Sequence, residues 1–207
     1  MDRHGLVWAT VRGDGDCWLV LELSSGRVVG DATLGCVMAG CSAIPHPDGR
    51  HVGLSVGMGQ EGSQIYWARH DHAEGLVVLH AMEGDDILTD VHPSGKGFLT
   101  SSVSGKCLSA YPFPPGGPPV VRAVGDLSDS DSDAFDYRAA YIDSQHVVAA
   151  LTDEPRHLRL DAGDLSEVDD IEYPLDLGEP SILPCDAQGA WATYDPGTRL
   201  LAVWRSR

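Results

Sequence analysis

A short turn recurs five times along the chain at nearly even spacing, and this period constrains the fold more than any other feature. Successive turns lie 44 to 49 residues apart. Their central residues are Gly5, Gly49, Gly95, Ser144 and Gly189. Repeats of about 40 to 45 residues that consist of strands are typical of β-propeller blades. The period therefore predicts an all-β chain made of similar units.

Each turn leads into a strand rich in apolar and small residues, and a polar break separates this strand from a second one. In the second repeat the two strands cover residues 51–56 and 64–68. Breaks of a few Gly, Pro or Asp residues between β-rich runs are hairpin connections. A leading strand precedes each of the last four turns, at 38–44, 86–91, 137–142 and 181–183. Third strands follow at 28–29, 76–79, 120–122 and 168–173. A complete repeat is thus predicted to contain four strands.

The first and last repeats are shorter than the others. Four residues precede Gly5 and three follow Trp204, so the first repeat lacks room for a leading strand and the last for a closing strand. We predict one β-propeller domain over residues 1–207, with five blades of about 45 residues and incomplete first and last blades. Open strand edges favour association, so we expect the terminal blades to pair with a second copy or a partner chain. A missed upstream start that supplies the absent strand would explain the same pattern.

Two of the turns resemble those of a known family. Residues 44–50 read Ile-Pro-His-Pro-Asp-Gly-Arg and residues 91–96 read Val-His-Pro-Ser-Gly-Lys. Both resemble the Pro-Asp-Gly-Arg turns of WD40-like propeller repeats of the TolB type. The run Gly-Ser-Gln-Ile-Tyr-Trp at 62–67 is similar to the glycine, short gap and Ile-Tyr strand that follows in those repeats. The resemblance implies a propeller scaffold for binding, and it carries over no catalytic residue.

The charge of the chain limits its partners. The net charge is −17, from 14 basic and 31 acidic residues, and there is no basic run. Phosphate binding depends on clustered Lys and Arg, so we predict no nucleic acid and no membrane partner. A protein partner is predicted, and a basic protein, a cation or a neutral ligand suits this charge. The five cysteines are an odd number without an apolar signal segment, which favours reduced thiols and a cytoplasmic location.

Two motifs have the form of catalytic or nucleotide-binding signatures. Gly-Leu-Ser-Val-Gly at 53–57 matches the nucleophile elbow around Ser55, and Gly-Met-Gly-Gln-Glu-Gly at 57–62 matches the dinucleotide fingerprint. Each signature functions only where a helix follows. Here a second strand follows, so Ser55 is interpreted as a strand residue and 57–62 as a hairpin loop. We predict no catalytic residue and no cofactor.

Three segments carry potential metal ligands. The acidic segment 126–136 places carboxylates at alternate positions, but it lacks the glycine and glutamate of a calcium loop. A solvated loop is favoured there, with weak cation binding as the alternative. His70, His72 and His80 lie around one turn, and Cys36 and Cys41 are close in sequence. Neither group has a further ligand at metal-site spacing. We therefore predict no metal site.

Two functions remain open at this stage. The first is a non-catalytic propeller scaffold that binds a protein or ligand at the channel mouth. The second is an enzyme or carbohydrate-binding propeller with its site in a central funnel. The leading strands offer only Asp86, Asp90 and Asp136 as scattered polar candidates for the second function. Five tryptophans recur near equivalent strand positions, where packing is their first explanation. The binding scaffold is favoured, because the fold alone does not imply chemistry.

Overall fold

The computed structural model describes residues 5–12, 16–36, 38–123, 134–152, 156–174, 181–186 and 190–205, without the side chains of 80, 81, 136 and 181–186. The regular structure of these residues is β except for one 3-10 turn, Gly59–Glu61. The prediction of an all-β chain is therefore confirmed. The described part contains no helix that is long and apolar enough to cross a membrane.

The eighteen described strands form five antiparallel sheets in chain order. The first sheet consists of β1 (Leu6–Val11), β2 (Cys17–Glu22) and β3 (Val28–Thr33). The second consists of β4 (Gly40–Pro45), β5 (His51–Gly57), β6 (Ser63–Asp71) and β7 (Gly75–Gly84). The third consists of β8 (Asp86–Val91), β9 (Gly97–Ser102), β10 (Cys107–Pro112) and β11 (Val120–Ala123).

The fourth sheet consists of β12 (Phe135–Tyr141), β13 (His146–Leu151), β14 (His157–Asp161) and β15 (Glu167–Ile171). The fifth consists of β16 (Ser181–Asp186), β17 (Ala190–Asp195) and β18 (Leu200–Arg205). Neighbours in every sheet are consecutive in the chain. The sheets thus contain three, four, four, four and three strands, as the period predicts.

Aspartate carboxylates close several of the turns between strands. Asp48 Oδ1 accepts hydrogen bonds from the backbone N–H groups of Arg50 and His51, at 2.8 and 3.0 Å. Asp143 Oδ1 accepts equivalent bonds from Gln145 and His146, at 2.7 and 2.8 Å. A short side chain that binds the backbone two and three residues later stabilises a tight turn. Each such turn determines the residue at which the next strand begins.

The chain separates into two compact units, residues 1–88 and 89–207, with the division inside β8. In the first unit the first two sheets share a buried apolar cluster that includes Trp18, Leu54, Val56 and Tyr66. Burial of apolar surface of this kind is the main source of folding free energy. The apolar residues that predict these strands therefore also supply the core.

The second unit has two buried clusters. Leu99 and Leu108 of the third sheet pack with Phe135 and Leu158 of the fourth. Between the fourth and fifth sheets, the Trp191 indole N–H donates to the Tyr173 hydroxyl oxygen at 3.1 Å. That hydroxyl lies 2.6 Å from Nδ1 of the buried His157. The Tyr173 hydroxyl thus links the indole and the imidazole, and burial raises the pKa of Tyr173 to about 12.

Gly53 lies at the tightest part of the first unit. A Cβ at this position would lie 2.5 Å from Leu88 Cδ2 and 3.0 Å from the ring of Trp67. Leu88 is almost fully buried and Trp67 is fully buried, so neither side chain has free space into which it can move. The strand therefore requires glycine at residue 53 for packing rather than for backbone conformation.

We predict that Gly53→Ala lowers the free energy of unfolding by about 1 to 3 kcal/mol, because the added methyl overpacks a filled core. Urea unfolding of the wild-type protein and of Gly53→Ala measures this difference. Gly40→Ala is the matched control, since no atom lies within 4 Å of a Cβ built there. Equal losses of stability for the two variants would contradict this description of the core.

Candidate functional site

A cleft of about 610 Å³ lies within the first unit, and both of its sheets contribute walls. The first sheet and its β2–β3 turn supply apolar side chains and one charged side chain of each sign: Leu6, Glu22, Arg27, Val28 and Val29. The second sheet supplies mostly charged and aromatic side chains: Arg50, Arg69, His70, Asp71, His72 and Gly75. The volume lies in the ordinary range for a ligand site, about 300 to 1,000 Å³.

Basic residues are concentrated in this cleft. Three of the chain's 14 Lys and Arg residues line it, together with two histidines, although the whole chain carries a net charge of −17. Arg27 and Arg50 are exposed, and within the described part of the chain neither guanidinium has an ion-pair partner. Arg69 lies 3.7 Å from Asp71 and 3.6 Å from Glu74, which are long, exposed pairs. The cleft therefore offers a ligand two guanidinium groups that have no ion-pair partner among the described residues.

The β6–β7 turn positions the aromatic side of the cleft. Asp71 Oδ1 accepts hydrogen bonds from the backbone N–H groups of Ala73 and Glu74, at 2.8 and 3.2 Å. These two bonds hold the pKa of Asp71 below its usual range, so the carboxylate stays ionised while it closes the turn. His70 and His72 flank it, with ring centroids 5.4 Å apart in an edge-to-face arrangement. The turn thus presents both rings to the cleft.

A second group of polar side chains lies in the turn that precedes β5. Among the described residues, His46, Asp48 and His51 are brought close enough to hold a metal ion. Partial burial alone would raise the pKa of Asp48, but hydrogen bonds from the backbone of His51 and Arg50 and from the rings of His51 and His46 outweigh it. They hold the pKa of this carboxyl well below its usual range. In the strand register His51 lies opposite Arg69, so this group adjoins the cleft.

The two catalytic-looking motifs have structural roles. Ser55 is buried inside β5, and its Oγ accepts a hydrogen bond from the Leu88 backbone N–H at 3.2 Å. The glycine-rich residues 57–62 form the β5–β6 connection through a 3-10 turn, and β6 begins directly afterwards. The prediction of a strand followed by a hairpin is confirmed for this segment. Neither motif is followed by the helix that its chemistry needs.

The remaining sequence candidates are dispersed. Cys36 accepts a long hydrogen bond from the Tyr66 hydroxyl, at 3.6 Å, whereas Cys41 Sγ lies 3.1 Å from Thr10 Oγ1. The side chain of His80, the side chain of Asp136 and the acidic residues 126–133 lie outside the described residues. Trp18 and Trp67 are fully buried and Trp191 is nearly so, which confirms the expectation of a packing role for these three.

Asp90 connects two strands of the second unit. Its Oδ2 accepts a hydrogen bond from the Tyr141 backbone N–H at 2.8 Å, and its Oδ1 accepts one from Val91 at 2.8 Å. Burial nevertheless raises the pKa of Asp90 to about 6, because desolvation outweighs these two bonds. Asp86 lies at the start of β8, where its carbonyl accepts a hydrogen bond from Ser63 Oγ.

The arginines of the cleft are the residues that sequence reasoning missed. Arg27, Arg50 and Arg69 are separated by 19 or more positions, so they form no basic run. The only signal in the sequence is their placement at the ends of predicted strands, next to turns. Packing of two sheets is needed to bring such positions to one cleft.

We predict that Asp90 titrates with a pKa of about 6 in the folded protein, against about 3.9 in an unfolded chain. Between these values the folded state holds a proton that the unfolded state has released, so the contribution of Asp90 to stability falls as the pH rises from about 4 to 6. Carboxyl ¹³C NMR measures the titration directly. Asp143, whose pKa is lowered, is the internal control. Titration of Asp90 together with Asp143 below pH 4 would contradict the prediction.

No protein-family profile matches the chain, and no curated protein sequence matches it. Similarity is found among solved structures. A prolyl oligopeptidase B from Galerina marginata gives a TM-score of 0.64 at 11% identity, over 98% of this chain and 32% of its own. The dihydro-heme d1 dehydrogenase NirN gives 0.61 at 14% identity, over 99% of this chain and 42% of its own. Hsv2 from Kluyvelomyces marxianus gives a TM-score of 0.50 at 8% identity, over 100% of this chain and 82% of its own.

These comparisons concern the fold and not the activity. The chain spans less than half the length of the first two proteins, and at identities of 8 to 14% the similarity is one of architecture. The matched proteins are β-propeller proteins, which include scaffolds and propellers associated with enzymes. Together with five consecutive antiparallel sheets of three or four strands, they show that this chain has a β-propeller fold.

Proposed function

We propose that this protein is a non-catalytic β-propeller scaffold, WD40-like and of the TolB type, which binds a protein partner. The cleft of the first unit is the proposed binding site, and an acidic segment of the partner is the proposed ligand. The observation that carries the proposal is the pair of guanidinium groups, Arg27 and Arg50, that lack ion-pair partners in the described structure. A cytoplasmic location forms part of the proposal, supported by the free thiols of Cys17, Cys36, Cys41 and Cys107.

The chemistry of the lining favours carboxylate groups. A guanidinium offers paired N–H donors that match the two oxygens of a carboxylate, and such charge-assisted bonds are stronger than neutral ones. Leu6, Val28 and Val29 add apolar surface beside the arginines. An extended acidic peptide can therefore place carboxylates on the guanidinium groups and aliphatic parts of its side chains on the apolar wall. The cleft has room for a few residues of such a segment.

The net charge of the chain opposes the binding of an acidic segment. A charge of −17 repels an acidic partner at long range, but the repulsion is screened beyond about 8 Å at physiological salt. The contacts in the cleft are shorter than that distance, so they are screened much less. Binding is therefore expected to depend on the local arginines rather than on electrostatic steering by the whole surface.

The lining also favours binding over group-transfer chemistry. Its described residues include no serine, threonine, cysteine or lysine that could act as a hydroxyl, thiol or amine nucleophile. Asp71 is engaged in closing its turn. His70 and His72 can contribute donors or ring contacts to a ligand without further chemistry.

We predict that a fluorescein-labelled octaglutamate peptide binds the wild-type protein, and that Arg27→Glu/Arg50→Glu weakens binding at least about tenfold, since two attractive contacts become repulsive. Fluorescence anisotropy measures the affinity. Lys96→Glu/Arg205→Glu is the matched control, because it changes the net charge equally. Lys96 occupies the turn position of Arg50 in the third sheet and lies outside the cleft lining. Equal weakening by both double variants would show that only overall charge matters.

A further inference from the structure

We propose that His46, Asp48 and His51 form a binding site for one divalent transition-metal ion, with Zn²⁺ as the representative ion. His46 Nδ1 lies 3.1 Å from Asp48 Oδ1, and His51 Nδ1 lies 2.7 Å from Asp48 Oδ2. The three ligand atoms all lie within 4.8 Å of one another. The site does not depend on the proposed function of the neighbouring cleft.

These separations suit tetrahedral coordination. Zinc binds imidazole nitrogen and carboxylate oxygen at about 2.0 to 2.2 Å, so two such ligands of one tetrahedral ion lie about 3.4 Å apart. To reach this value, the distance from His46 Nδ1 to Asp48 Oδ1 must increase by about 0.3 Å and that from His51 Nδ1 to Asp48 Oδ2 by about 0.7 Å. Asp48 is exposed, which leaves a side of the site open for a water or a further ligand. Mixed imidazole and carboxylate ligands suit Zn²⁺, Co²⁺, Ni²⁺ and Cu²⁺ better than Mg²⁺ or Ca²⁺.

The contacts of His46 direct its Nδ1 toward Asp48. This atom lies 3.2 Å from the backbone nitrogen of Asp48 and 3.1 Å from the Asp48 carboxylate. Nδ1 accepts from the backbone N–H in one tautomer and donates to the carboxylate in the other, so it makes only one of these two hydrogen bonds at a time. A metal ion bound to the Nδ1 lone pair and to the carboxylate would replace both contacts.

The surrounding turn holds the ligands in place. The backbone N–H of His46 donates to the carbonyl of His51 at 2.9 Å, and Gly49 donates to the carbonyl of His46 at 3.0 Å. Gly49 has a φ of 69°, a conformation that favours glycine. The buried ring of His46 packs edge-on against Trp67, with centroids 5.9 Å apart. Two of the three ligands are therefore fixed by a closed turn rather than carried on a mobile loop.

Equivalent turns elsewhere in the chain lack at least one ligand. In the third sheet His92 occupies the position of His46, but Ser94 replaces the aspartate and Gly97 replaces the second histidine. In the fourth sheet, Asp143 and His146 occupy the positions of Asp48 and His51, and His146 Nδ1 lies 3.1 Å from Asp143 Oδ2. Tyr141, however, occupies the position of His46. Aspartate with one histidine is thus sufficient to close the turn. The additional histidine of the second sheet is what converts it into a three-ligand site.

Titration with Co²⁺ and Zn²⁺ tests the proposal on the full chain. We expect the wild-type protein to bind one Co²⁺ with the visible absorption of a four- or five-coordinate ion, and Zn²⁺ to displace it. His51→Ala is expected to weaken Zn²⁺ binding at least tenfold in calorimetry, because one of three protein ligands is lost. His146→Ala, which removes a histidine from the equivalent two-ligand turn, is expected to leave binding unchanged. Absence of Zn²⁺ binding to wild type, or equal binding to His51→Ala, would overturn the proposal.

A second measurement does not rely on the folding of any variant. Zn²⁺ added to ¹⁵N-histidine-labelled wild-type protein is expected to shift the Nδ1 resonances of His46 and His51 and to leave that of His146 in place. Shifts confined to other histidines, such as His70 and His72, would also overturn the proposal, since they would locate the ion in the cleft.

Discussion

Aspartate-closed turns are the interaction on which the rest of this structure depends. In four described turns an Asp Oδ1 accepts the backbone N–H groups two and three residues later, at Asp48, Asp71, Asp143 and Asp161. The bond determines where the next strand begins and hence its register. A slip of one residue would move every side chain of that strand to the opposite face. A chain of many short hairpins therefore uses many aspartates, which accounts for part of its acidity.

The same turns position the groups that can bind ligands. Turn closure by Asp71 presents His70 and His72 to the cleft, and turn closure by Asp48 brings His46 and His51 to one carboxylate. Arginines at strand ends then form a basic cleft in an acidic protein. Overall charge predicts solubility and long-range steering, whereas binding depends on the charges within a few ångströms of the ligand. This is why the preference for a basic protein, a cation or a neutral ligand, which follows from the net charge, does not extend to the cleft.

The fold could be predicted from sequence because the repeat period and the residue types of each turn can be read directly along the chain. β8 was predicted at its observed residues, and β5 to within one residue. β3 and β7 extend further than their apolar runs at 28–29 and 76–79. Backbone hydrogen bonds to the neighbouring strand hold these outer strands, and the residue types do not indicate how far that pairing continues. The cleft could not be predicted, because Arg27, Arg50 and Arg69 are distant in sequence and meet through sheet packing. The spacing of His46, Asp48 and His51 was visible, but only the turn geometry shows that their donor atoms converge.

Hydrogen–deuterium exchange with and without saturating octaglutamate peptide tests the central claim, that the cleft of the first unit is the binding site. Binding in the cleft is expected to slow exchange in three segments: the β2–β3 turn at residues 22–29, the start of β5 at residues 50–52 and the β6–β7 turn at residues 69–75. The equivalent turns of the fourth sheet, at residues 143–146 and 161–166, are predicted to exchange at unchanged rates. Protection that is absent from the first three segments, or equal in all five, would contradict the account.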